Sequence, residues 1–471
     1  MDRRTFLQQT AAATAAGGLM TAAHDAPADS VATDNRPPNL IFVLADQWRF
    51  SAFGHGTDEG VRTPHIDALA KSGARFTRAY ACNPVCTPNR SVILTGRYTH
   101  QTGMIKNNLM IPPSETCMAE VLKKSGYATH YIGKYHLDGP AKPGFVPPGW
   151  RRRGFDTFEG FNRGHFYHAS KTFSNTGKLL RPDVFEPTYQ TDRAIDYIAK
   201  HKQKPFYMYL SWGPPHTPYR PPKAFDDYKP GGLKLRPNVP KRLRASRRVR
   251  RGLAGYYGLC TALDHEMGRL IQALERHKLR ENTLLVFTSD HGDMHGSQGK
   301  FFKGHPEEES LHVPLMMSQP GRIKAGQTPD TLCSSLDLMP TLLSACGATP
   351  PKTCEGRNLA SVPLEGRKPS AEWLYCQGKV ATKKAWRCVV TNRHKLAIDI
   401  DGNVTHLFDL KNDPYERENL NATKSVANTK KELLTLLKET GRKTGDPFPK
   451  TVPKARATYT DAEGKAAKRT T

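Results

Sequence analysis

The run Asn39-Leu40-Ile41-Phe42-Val43-Leu44-Ala45 is continuously apolar after its first residue and stops at Asp46-Gln47. A run this short, with no polar alternation, predicts a strand buried on both faces, as in a parallel sheet covered by helices. Phe206 to Leu210 and Thr283 to Thr288 repeat the pattern, and Tyr127 to Ile132 repeats it more weakly. Segments of helical character lie between them: Cys117 to Lys124 closed by Gly126, Tyr189 to Lys200, and Leu253 to Leu274. This alternation predicts an α/β domain with a mostly parallel central sheet flanked by helices, spanning about 37–350.

Polar residues gather just after the predicted strands: Asp46, then Lys134 and His136, then His216, then Asp290 and His291. Ligands of open α/β sheets bind outside the carboxyl ends of the strands, so these positions mark the candidate site. Beyond Pro350 the pattern changes to short β-type segments, Trp386 to Val390, Lys395 to Ile400 and Thr405 to Leu410, followed by a helix near Thr429 to Thr440. That change predicts a small C-terminal α+β subdomain at 351–450. Residues 451–471, rich in Lys, Ala and Thr, predict a flexible basic tail.

A length of 471 residues accommodates one large domain with a smaller appendage. The formal charge of +26 concentrates anionic ligands without saying which: nucleic acid, acidic lipid and sulfated polysaccharide all fit. Seven of the eleven residues from Lys241 to Arg251 are basic, a pattern that reads first as a solvated loop and helix start, and second as a polyanion contact. The amino terminus, Met1-Asp2-Arg3-Arg4-Thr5-Phe6-Leu7, leads into an Ala/Gly/Thr-rich stretch to Ala23. It resembles a twin-arginine signal peptide over residues 1–26, which implies recognition by the twin-arginine export machinery and a periplasmic or extracellular destination. Nine cysteines are too scattered for a dense disulfide framework, although Cys376 and Cys388 could clip a hairpin.

Cys86-Thr87-Pro88-Asn89-Arg90, followed in register by Leu94-Thr95-Gly96, is the most specific motif. It resembles the C-x-P-x-R signature of the formylglycine-dependent sulfatases, in which a maturation enzyme oxidises the cysteine to 3-oxoalanine. Gly133-Lys134-Tyr135-His136-Leu137 resembles that family's G-K-W-H-L, and Pro215-His216-Thr217-Pro218 its P-H-x-P. Ser289-Asp290-His291-Gly292, Lys303-Gly304, Glu308-Glu309-Ser310, Val313-Pro314, Asp337-Leu338-Met339-Pro340-Thr341 and Asn412-Asp413-Pro414 with Glu416 continue the family's order over nearly the whole chain.

The resemblance implies the alkaline-phosphatase-like fold and a sulfatase that hydrolyses sulfate monoesters, with sulfated carbohydrates as the substrate class. It implies one Ca²⁺, an ion that takes oxygen ligands, at Asp46, Gln47, Cys86 as formylglycine, Asp290 and His291. Gln47 stands where many members have a second aspartate, so the site carries one negative charge fewer. By the same resemblance, hydrated formylglycine at 86 is the nucleophile and forms a sulfo-enzyme. Arg90 and Lys134 hold it, His136 is the base that releases sulfate, His216 protonates the leaving oxygen, and Lys303 binds a sulfate oxygen and could share the acid role. Asn89 occupies a position that is often serine, and Asp264 matches a family block but reads as structural. Two other functions remain open: a formylglycine-dependent phosphonate or phosphate monoester hydrolase, and a non-catalytic polyanion-binding protein. Nucleic acid is the least expected partner, since no nucleic-acid motif accompanies the basic charge.

Overall fold

In the computed structural model, which describes residues 36–57, 59–367, 372–449 and 451, the first apolar run becomes β1, Asn39–Asp46, with every residue buried. The expected leader at 1–26 lies outside the described residues, as does all of the expected tail except Thr451. Side chains of a strand alternate between its two faces. In β1, Leu40, Phe42 and Leu44 accordingly enter one core while Ile41, Val43 and Ala45 enter another. Both faces must therefore be covered, which is why the run carries no polar alternation.

The central sheet comprises β1, β2 (Ala74–Phe76), β3 (Ala128–Lys134), β4 (Thr157–Phe161), β5 (Thr172–Phe173), β6 (Leu179–Leu180), β7 (Phe206–Pro215), β8 (Thr283–Ser289) and β9 (Leu315–Ser318). Its order is β2-β9-β8-β1-β7-β3-β4-β5-β6. The five strands from β8 to β4 are parallel, with antiparallel strands added at both edges. On one face lie α1 (Pro64–Lys71), α4 (Glu186–Lys200) and α5 (Arg247–Arg276); on the other lie α2 (Cys86–Thr95), α3 (Met118–Lys124) and α6 (Leu338–Ala345).

Several elements exceed their sequence signals for identifiable reasons. β7 continues five residues past Leu210 because backbone pairing persists to Asp46 opposite Pro215, although Ser211 and Gly213 interrupt the apolar run. α5 starts at Arg247, so the basic run supplies its first turn and the short helix Lys241–Arg244 before it. Asp264 is structural, as expected: its carboxylate accepts the backbone N–H groups of Ile66 at 2.7 Å and His65 at 3.3 Å, capping the start of α1.

The C-terminal region forms an antiparallel sheet of β10 (Trp373–Gly378), β11 (Trp386–Thr391), β12 (His394–Ile398) and β13 (Val404–Asp409), followed by α7 (Ala427–Thr444). Cys376 and Cys388 are register partners and both are free thiols, as are the other seven cysteines, so of the two alternatives, a disulfide clip and buried thiols, the structure has the buried thiols. Buried apolar contacts join it to the main domain, Val92 and Leu336 packing with Val389 and Leu396, and Leu311 and Leu332 with Leu374 and Trp386, and buried ion pairs add to them. Lys395, 1% exposed, reaches both Glu308, at 2.8 Å, and Glu416, while the Glu308 N–H donates to Glu416 at 2.8 Å. Two motifs far apart in sequence, Glu308-Glu309-Ser310 and Asn412-Asp413-Pro414 with Glu416, are thereby one structural joint.

A second buried network braces the loop after β1. Glu59 pairs with Arg49 and, at 3.1 Å, with Arg236, and Arg236 also reaches Glu309 at 2.7 Å. Burial alone would push the Glu59 carboxyl up, but the two guanidinium charges hold it down at about 2. Its folded-state pKa lies below the ordinary value of 4.5, so its contribution is full above pH 4.5 and is lost as the pH falls toward 2. Glu59→Gln leaves Arg49 buried without its counter-charge, so chemical denaturation should show a loss of about 3–5 kcal/mol at pH 7. The difference between wild type and variant should shrink below pH 4; a pH-independent difference would contradict this role.

Candidate active site

The carboxyl ends of β1, β3 and β8 lie side by side or one strand apart, which places Asp46, Lys134 and Asp290 around one point. α2 points its first residue, Cys86, at that point. Gly96 ends α2 at φ +63°, and a Cβ there would lie 2.9 Å from Cys354 Sγ. Gly133 is equally constrained, since a Cβ would sit 2.2 Å from the Ser211 carbonyl oxygen. Glycine at 133 thus lets β3 press against β7 immediately before Lys134.

Cys86 Sγ lies 3.2 Å from Lys303 Nζ, 3.3 Å from His291 Nε2 and 3.7 Å from Asp46 Oδ1. Burial and Asp46 raise its pKa, but Lys303, Lys134 and His291 outweigh them and bring the thiol down to about 6. Such depression marks a position built to stabilise negative charge. Asp46 is buried, yet the Lys134, Arg90 and Lys303 charges hold its carboxyl well below the usual range. It pairs with Lys134 Nζ and, at 3.2 Å, with Arg90 Nη2.

Arg90 also donates from Nε to Asp290 at 2.9 Å, and from Nη1 to the Lys134 carbonyl at 2.9 Å and to Ser211 Oγ at 2.8 Å. Its fork therefore holds the two carboxylates in place. Asn89, the departure from the signature, donates to the Asp290 carbonyl at 2.6 Å and accepts from Ser335 Oγ at 2.6 Å, so an amide performs this buried tie.

Asp46, Cys86, Asp290 and His291 each offer one donor atom, all within 4.8 Å of one another. His291 Nδ1 can only donate to the Gly292 carbonyl, 3.0 Å away, so Nε2 is the nitrogen that faces the cluster. The Gln47 carboxamide is fixed beside it: Nε2 donates to Asp293 and to Tyr219 at 3.3 Å, while Oε1 accepts from Lys303 at 2.9 Å. Two carboxylates and an amide oxygen suit Ca²⁺, and an oxygen at position 86 suits it better than a thiol does. The residues fit a hard cation held by Asp46, Asp290, Gln47, His291 and an oxidised position 86. Residues 38–348 match the Sulfatase family model.

The chain belongs to the sulfatase family, and it is a sulfuric ester hydrolase. Residues 296–443 also match the N-sulphoglucosamine sulphohydrolase C-terminal model. The sequence is 35% identical over 425 residues to an ulvan-active sulfatase of Formosa agariphila, covering 87% of this chain and 82% of that protein. It is 30% identical to an endo-4-O-sulfatase of Bacteroides thetaiotaomicron, covering 87% of this chain and 93% of the relative. Among solved structures it is similar to a Bacteroides fragilis protein assigned as the sulfatase yidJ, with a TM-score of 0.82 and 31% identity over 89% of this chain and 99% of that one.

Around this sulfatase centre stand the two remaining histidines of the sequence analysis. His136 Nε2 lies 3.0 Å from Asn108 Oδ1 and its Nδ1 is buried without a partner; burial, Lys134 and Arg90 hold the ring neutral. His216 directs Nδ1–H at the Thr217 carbonyl, 2.8 Å away, and burial with Lys303 lowers its pKa well below the ordinary value. His165 stacks on it with centroids 3.8 Å apart. Sequence reasoning missed His165, Asn108 and Asp293. The first two lie in irregular segments, while Asp293 was visible only as the residue after Ser289-Asp290-His291-Gly292. A separate cavity of about 590 Å³, bounded by Arg78, Tyr80, Arg236, His312 and Tyr415, contains none of the candidate catalytic groups.

A divalent cation that occupies this cluster should stabilise the protein against heat, by about 2.7 kcal/mol when present at a hundredfold excess over its Kd, and calcium is the ion to test first. Asp290→Asn should abolish that calcium-dependent shift in Tm. A variant that keeps the full shift would place the ion elsewhere.

Proposed function

We propose that this sulfatase removes sulfate from sulfated carbohydrates, using one Ca²⁺ and a formylglycine formed from Cys86 by a maturation enzyme. The observation carrying this reading is the burial of Cys86 at the head of α2 among Asp46, His291 and Lys303. The relatives named for ulvan and for endo-4-O-sulfate esters support the carbohydrate class. The leader with Arg3-Arg4 gives this activity an exported setting, periplasmic or extracellular.

When bound, the cation supplies positive charge to the sulfate oxygens; the aldehyde hydrate at 86 supplies one hydroxyl to attack sulfur and a second through which sulfate is expelled. The chain's own groups do the rest. Asp46 and Asp290 against Arg90, Lys134 and Lys303 leave a formal charge of +1 before any histidine titrates, which offsets the repulsion between an anionic ester and an oxygen nucleophile. His136, neutral and with a free buried Nδ1, has the state required of a base. Lys303 is a donor already in place: burial lowers its pKa, but Cys86, Asp46 and Asp290 more than reverse that and keep it charged. His216 is neutral at rest, held so first by burial and then by Lys303, and an arriving sulfate ester adds negative charge that favours its taking up a proton from solvent. Its proton then serves the leaving oxygen.

His216→Ala should lower kcat/KM on sugar sulfates by about 10²- to 10⁴-fold while costing activated aryl sulfates far less, because a phenolate leaves without protonation. Equal losses would remove His216 from that role. Matched aryl sulfate, phosphate and phosphonate esters test the reaction class: the sulfate should be turned over fastest, and preference for either phosphorus ester would overturn the reading.

A further inference from the structure

The basic run at Lys241–Arg251 has no part in the mechanism, yet the fold brings it to the catalytic lysine. Arg248 Cζ lies 4.0 Å from the ring centre of Phe301 and 5.9 Å from that of Phe302, the two residues before Lys303. Arg242 packs over the same segment: a Cβ on Gly299 would lie 3.3 Å from its Nη2. Phe302 is one of three large apolar side chains exposed among the described residues, at 42%, and its φ is +64°. A bulky residue held in the left-handed region and turned toward water is doubly unfavourable, the pattern of a group placed for contact with a ligand.

The residue after Lys303 has a basic neighbour too. Lys379, also left-handed at φ +49°, passes Gly304 so closely that a Cβ there would lie 3.5 Å from its Cε and 3.8 Å from a methyl of Val85, the residue before Cys86. Lys300 is paired with Glu307, which is the carboxylate in this neighbourhood. Arg242, Arg247, Arg248, Arg251 and Lys379 form no ion pair among the described residues, and the four arginines are exposed. An arginine stacked on an aromatic ring keeps its in-plane N–H donors free for a planar or tetrahedral anion.

We propose that Phe302, Arg248 and Lys379 form binding subsites on both flanks of the catalytic pocket, so that the enzyme takes a sulfated polysaccharide lying across Lys303 and acts on units within the chain. Phe302 offers its ring face to the C–H face of a neighbouring sugar. Arg248 on one flank and Lys379 on the other receive sulfates or carboxylates of the adjoining units, and the exposed arginines behind Arg248 extend the attraction along the polymer. This rests on the sulfatase reading above and adds to it the length and charge of the substrate.

The test compares kcat/KM on an aryl sulfate with initial sulfate release from ulvan, carrageenan and chondroitin sulfate chains, for wild type and for Arg248→Ala, Phe302→Ala, Lys379→Ala and Arg248→Ala/Lys379→Ala. Each single change should lower the polymer-to-aryl ratio about fivefold, and the double change by more than tenfold. Raising the salt concentration should weaken polymer turnover with a shallower slope in the double variant than in wild type. Ratios unchanged in all four variants would overturn the proposal, as would wild type that hydrolyses the aryl sulfate and sulfated disaccharides but none of the chains. Stronger inhibition by single-stranded DNA than by a non-hydrolysed sulfated chain of equal charge would also overturn it, assigning the surface to nucleic acid. Loss of aryl sulfate turnover in wild type would instead strike the sulfatase reading itself.

Discussion

The placement of Asp46 between Lys134 and Arg90 is the interaction on which the rest of the site depends. A carboxylate this deeply buried is tolerable only beside fixed positive charge. Arg90 meets that need while also binding Asp290, so one guanidinium sets the spacing of the two carboxylates. The strand order follows suit, because β1 must lie beside β8 for Arg90 to reach both acids, and close to β3 for Lys134 to reach Asp46. Gly133 admits the close packing of β3 and β7 that brings Lys134 there.

The same electrostatic logic separates catalytic motifs from structural ones that look alike in sequence. Glu308, Glu309 and Glu416 are acidic, buried and embedded in family-like motifs, but their charges are spent on Lys395, Arg236 and one another's backbone. They hold the C-terminal sheet and the loop after β1 to the main domain. Asp264 likewise serves a helix start.

Much of this was legible in the sequence because the central strands are buried on both faces and so have unbroken apolar runs. Asp46, Lys134, His136, His216 and Asp290 were legible because they follow those runs directly, and Cys86 because its neighbours form an extended motif. The outer strands Thr157–Phe161 and Leu315–Ser318, each one or two places in from an edge of the sheet, gave no comparable signal, being short. Arg90 was found, but its commitment to Asp46 and Asp290 depends on side-chain geometry that spacing does not encode. His165, Asn108 and the stacking of Arg248 on Phe301 join segments between 28 and 53 residues apart, beyond the reach of local pattern.

In the mechanism we propose, position 86 acts as an oxidised residue in a pocket organised for anionic esters. Preparations made with varying amounts of maturation enzyme should be digested, and the peptide spanning residue 86 weighed by mass spectrometry beside the specific activity on an aryl sulfate. Activity should be proportional to the aldehyde fraction, falling to zero when every molecule carries the thiol. Full activity in an all-thiol preparation would contradict it.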